Sequence, residues 1–81
     1  MKLDLNRYTA SLPIVKRVVE LNPNMSSSDL ISQVSIATGC PVVVSGYFIA
    51  EARGMDEELE QKIKDLISFY KYDSIIMLEG K

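Results

Sequence analysis

The sequence predicts a mainly α-helical fold, a small bundle of about four helices with a helix-turn-helix-like hairpin and a short extended C-terminal tail. Two observations carry this. Apolar residues recur at helical spacing in the first quarter of the chain and again near its end. Between and beside them, serine, proline and glycine stand where helices start and stop. The length of 81 residues supports one small globular domain spanning 1–81. With 47% hydrophobic and 25% charged residues, the composition is that of a folded chain and not a disordered one.

The first helix is expected over 12–21. Ser11 precedes Leu12 and Pro13, and proline is tolerated in a first turn because its missing N–H would be unpaired there anyway. Leu12, Ile14, Val15, Val18, Val19 and Leu21 fall on one half of the wheel, with Lys16, Arg17 and Glu20 on the other. "NPN" at 22–24 ends it, since the residue before a proline is pushed out of the helical region. A second helix is expected over 27–38, introduced by Ser26 three residues ahead of Asp29, with Leu30, Ile31, Val34 and Ala37 as its apolar stripe. Gly39 suits the left-handed residue that closes such a helix, and Pro41 the first turn of the next.

Residues 41–53 read two ways. "VVVSGYFIA" is rich in β-branched and aromatic residues, as a buried strand would be. The glycines at 39 and 54, Pro41 and the helix-favouring "AEAR" point to a helix. The alternative is an α+β domain with strands near 42–50 and 74–78 pairing around the intervening helix. From 56 to 71, Leu59, Ile63, Leu66, Ile67 and Tyr70 define a further helix, supported by the i,i+4 pairs Glu58–Lys62 and Glu60–Lys64. "SIIML" at 74–78 is too short for a helix and is expected to lie extended on the domain or on a neighbour.

Catalytic chemistry finds little to work with. Histidine is absent and there is one cysteine, so the commonest general base and metal ligand is missing and no zinc or iron–sulfur set can be assembled. No glycine lies in a phosphate-cradling pattern. The acids Asp56, Glu57, Glu58 and Glu60 suit a first helical turn, where negative charge complements the helix dipole. Cys40 reads as a small buried apolar residue. The expectation is a protein that is not an enzyme, with no catalytic, cofactor-binding or metal-binding residues and no cofactor.

The net charge is −2, without the positive field that nonspecific nucleic-acid binding relies on. Residues 55–81 hold four basic and seven acidic residues, so the tail is no anchor for DNA or anionic lipid. The N-terminal "MKLDLNRYTAS" lacks the apolar core of a signal peptide, and "CPVVVSGYFIA" falls short of the ~20 residues of a spanning helix. A reducing cytoplasm is the expected location.

On the wheel for 42–53, Val44, Ser45, Phe48, Ile49 and Ala52 face the first two helices, and Val42, Val43, Gly46, Tyr47 and Ala50 fall largely on the other side. A DNA reader would place arginine, asparagine or glutamine there; here only Tyr47 offers a hydrogen bond. These outward residues, joined by Ile36, form the candidate partner-binding patch, for another protein or for self-association. The alternative cover is the fourth helix and the tail. A small helix-turn-helix transcription regulator is the competing function, and it requires Lys16, Arg17 and Arg53 to form one phosphate-contacting surface.

The string "VVELNPNMSSSDLISQVSIATGCPVVVSGYFIAEARG", residues 18–54, resembles a segment of small accessory proteins of T4-like bacteriophages. The shared pattern is an "NP", a serine-led helix, a turn glycine and an aromatic-containing helix ending in "AR". In length and layout the sequence is most similar to the cytoplasmic antiholins of the RIII type. That resemblance implies a protein of the host cytoplasm that binds the cytoplasmic part of a membrane holin and delays lysis, with no direct membrane insertion. It assigns no role to any single residue.

Overall fold

The computed structural model describes residues 1–78. The chain runs from a three-residue strand β1 (Lys2–Asp4) through a 3-10 helix (Leu5–Ser11) into α1 (Leu12–Leu21), α2 (Ser27–Thr38), α3 (Val42–Arg53) and α4 (Glu57–Tyr70). It ends in a second short strand, β2 (Ser74–Ile76). The expected helices therefore stand within one residue of their expected bounds.

The local reasons are those the sequence carries. Ser26 accepts the backbone N–H of Asp29 at 3.2 Å, satisfying one of the donors a helix start leaves open. Gly39 closes α2 at φ 74°, a left-handed conformation that costs glycine nothing. Ser35 Oγ donates to the Cys40 carbonyl at 2.8 Å, and Thr38 Oγ1 accepts the Cys40 N–H at 3.2 Å. The tight turn is thus held by two α2 side chains that reach past the glycine to the backbone of Cys40. α2 and α3 meet at 110°, within the range of helix-turn-helix pairs. Pro41 stands just ahead of α3 and not inside its first turn.

α3 is the central element, packing against α1, α2 and α4. Val43, Val44, Phe48 and Ile49 are fully buried, together with Val15 of α1, Leu30 and Val34 of α2 and Leu59 of α4. Residues 42–50 are helical, so the strand expected there in the α+β alternative does not form. A run of β-branched residues becomes helix here because burial on several sides outweighs its modest helix propensity. The other strand of that alternative does exist, but its partner is β1. The two pair in parallel with Leu3 opposite Ile75, and Leu3 and Leu5 are drawn into the core.

Two apolar stripes are narrower than their wheels suggest. On α1, Ile14 and Leu21 are exposed while Val15 and Val19 are buried. On α2, Ala37 faces solvent. The expected pairing of Glu60 with Lys64 is present at 3.5 Å, but Glu58 turns away from Lys62. Its carboxylate oxygens instead accept the N–H groups of Ser27 and Ser28 at 3.3 and 3.5 Å, where the positive end of the α2 dipole favours an anion.

That contact belongs to a junction of three helix ends. Asp56 caps α4 by accepting the Leu59 N–H at 2.7 Å and also accepts from the buried Ser27 hydroxyl. Arg53, at the end of α3, donates to Ser27 Oγ at 2.9 Å and to the Met25 carbonyl at 3.2 Å. A buried serine is thereby satisfied as donor and as acceptor, removing the penalty of an unpaired hydroxyl. This fixes the start of α4 relative to α2 and α3, and with it which face of α3 becomes covered.

Candidate functional site

The six residues of the expected patch do not form one surface. Val43 is fully buried, and Gly46 lies beneath α4. A Cβ built on Gly46 would stand 2.8 Å from Ile63 Cγ1 and 3.3 Å from Ile63 Cδ1. Glycine here permits the two helices to approach closely, and the docked Ile63 is the occupant. Val43 and Gly46 are therefore core residues, correcting their placement as partner-binding. The physical reason is that α4 supplies a buried isoleucine where the wheel of α3 shows only an apolar face in need of cover. Val42 is half-buried and packs against the core cluster. Ile36 is 79% exposed on α2, an isolated apolar side chain outside the cleft described next.

Tyr47 and Ala50 have a different environment. With Glu51 they line a cleft of about 280 Å³ whose other walls are Leu5, Met55, Met77 and Leu78. Tyr47, Ala50 and Glu51 are three and four residues apart, one stripe of α3. Leu5 comes from the 3-10 helix, Met55 from the loop between α3 and α4, and Met77 and Leu78 from the segment after β2. That segment is positioned by the β1–β2 pair, by Asn6 Nδ2 donating to the Met77 carbonyl at 3.1 Å, and by the Met1 ammonium on Asp73 at 2.6 Å.

Burial raises the Tyr47 phenol above its ordinary pKa, because the apolar walls disfavour phenolate. The hydroxyl remains a neutral donor at physiological pH. No side-chain polar atom among the described residues is buried without a partner, so the phenol does not end in a sealed void. Among the described residues, Glu51 is the one charged residue lining the cleft. It is exposed and in no ion pair among the described residues.

Sequence reasoning missed Leu5, Glu51 and Met55, whereas Met77 and Leu78 belong to the tail it offered as an alternative cover for α3. Glu51 was legible, since it follows Tyr47 by four residues on the same arc. The others are brought in by chain crossings that no local periodicity encodes. The basic surface required by a DNA-binding reading has specific competitors. The Arg53 guanidinium is directed at Met25 and Ser27, while Arg17 faces Glu20 at 3.9 Å.

Among the described residues, no group of three or more His, Cys, Asp or Glu side chains is placed to hold a metal ion. Cys40 is buried, with its Sγ donating to Ser11 Oγ at 3.4 Å. No single helix there is long and apolar enough to cross a membrane. Comparison with known proteins finds no matching family model, no matching curated protein and no matching solved structure.

Proposed function

We propose that this chain is a non-enzymatic protein-binding module whose partner seats in the cleft beside Tyr47. The supporting observation is the contrast along α3. Its apolar surface is occupied by the chain itself at Val43 and Gly46, yet Tyr47 and Ala50 open on a concave, mainly apolar cleft. A half-buried tyrosine with an open hydroxyl offers a partner both apolar area and a hydrogen bond, the combination that makes aromatic residues dominant at interfaces.

Joined to the resemblance over residues 18–54, the proposal is an antiholin of the host cytoplasm, in which the bound partner is the cytoplasmic part of a holin and the outcome is delayed lysis. The test is co-purification of this chain with a holin's cytoplasmic segment, repeated with Tyr47→Asp. Capture by the native chain and loss with a folded Tyr47→Asp variant supports the reading. A folded Tyr47→Asp variant that still captures the segment removes the cleft as the site. A low-salt gel shift on mixed duplex DNA with steep salt dependence would favour the transcription-regulator function instead.

A further inference from the structure

The cleft also restricts what the partner can carry. At about 280 Å³ it stands at the small end of the ~300–1,000 Å³ of typical ligand sites, with room for one large side chain. Two of the seven described residues that line it are methionines, Met55 and Met77, whose unbranched thioethers adapt to an inserted apolar group. Among the described residues its charge is one-sided. Glu51 stands at the cleft with no basic side chain among the lining residues, whereas Asp56, Glu58 and Glu60 are committed to caps or to Lys64. An anionic group entering beside Glu51 meets like-charge repulsion. A cation there meets the Glu51 carboxylate, with which it can pair.

Resting on the reading of this cleft as the partner site, we infer that its occupant is a basic amphipathic segment of the partner protein. One apolar side chain fills the space between Tyr47, Met55 and Met77, and an adjacent lysine or arginine pairs with Glu51.

Three capped dipeptides test this: N-acetyl-Phe-Lys-amide, N-acetyl-Phe-Gln-amide and N-acetyl-Phe-Glu-amide, titrated into protein with carbon-13-labelled methionine methyls. The chain has four methionines. Met55 and Met77 report on the cleft, while Met1 and Met25, which do not line it, serve as internal controls. The expected result is movement of the Met55 and Met77 signals alone. The lysine probe binds about two- to fivefold more tightly than the glutamate probe at low salt, and the preference collapses in Glu51→Gln and at high salt. Glu51 is exposed, so Glu51→Gln retains the fold, which its amide spectrum verifies.

Equal binding of all three probes, or a preference that survives Glu51→Gln, overturns the basic occupant while leaving the cleft as a docking site. Absence of any Met55 or Met77 shift overturns the inference, whereas the reading of the site itself falls only if Tyr47→Asp also leaves holin capture intact. Movement of these signals with protein concentration alone identifies a second copy of the chain as the occupant and also overturns it.

Discussion

Gly46 and Tyr47 are neighbours on one helix, yet their surroundings differ entirely. Gly46 is buried against Ile63 of α4, and Tyr47 faces a cleft that the chain leaves open. The helical wheel puts both on the side of α3 away from α1 and α2, yet a Cβ on Gly46 would also stand 3.7 Å from Ile31 Cδ1 of α2. An apolar helix face is thus a demand for cover, and its composition does not say which residue the chain will cover and which it will leave for something else. The distinction comes from the path of α4, set by the junction of Arg53, Ser27, Asp56 and Glu58.

The comparison breaks first, and most severely, at Phe48, the fully buried residue that follows the pair. Phe48→Asp removes a large core side chain and buries an unpaired carboxylate, a loss of at least about 5 kcal/mol. For a domain this small that is comparable with its whole stability, and circular dichroism should show a largely unfolded chain. A folded Phe48→Asp variant would mean that α3 is rotated from the orientation described.

The junction comes next. Asp56→Ala removes the α4 cap and the acceptor of the Ser27 hydroxyl together, with an expected loss of about 2 kcal/mol in urea denaturation. The effect should exceed that of Glu60→Ala, whose exposed i,i+4 pair with Lys64 is worth about 0.5 kcal/mol or less. Equal effects would show that the junction does not hold α4 in place.

At Gly46 itself two effects oppose each other. Alanine gains about 1 kcal/mol of helix propensity but forces Ile63 to move, at about 1–3 kcal/mol. Gly46→Ala should therefore be destabilising by about 1 kcal/mol. Combining it with Ile63→Val should cost less than the sum of the two single changes, because the smaller side chain releases the clash. Strict additivity would show that Gly46 is not read through Ile63. Tyr47→Asp, by contrast, should cost only about 1 kcal/mol while abolishing partner capture.

The smallest expected effect is at alkaline pH. Because the Tyr47 pKa is raised in the folded chain, the folded state keeps its phenolic proton where the unfolded state has lost it. The associated stability is fully present below the ordinary tyrosine value of about 10 and declines as pH rises through the folded value. Tyr47→Phe should flatten that decline in denaturation curves taken at increasing pH. An unchanged slope would show that the ring is more hydrated than the cleft implies.

Much of the fold was determined locally. Pro13, Ser26, Gly39, Gly54 and Asp56, with the spacing of Val15–Val19, Leu30–Val34 and Leu59–Ile63, are sufficient to place four helices, because caps and breakers act within a few residues of themselves. The wheel of α3 likewise identified Val44, Phe48 and Ile49 as inward-facing, and Tyr47 as the outward residue with a hydrogen bond to offer. Only the tertiary structure decided that Val43 and Gly46 are covered, that Glu58 caps α2 and forgoes Lys62, and that the first strand of the chain pairs with the last. Contacts between residues tens of positions apart leave no periodic trace in a sequence. The cleft exists only where such contacts bring Leu5, Met77 and Leu78 to the open stripe of α3.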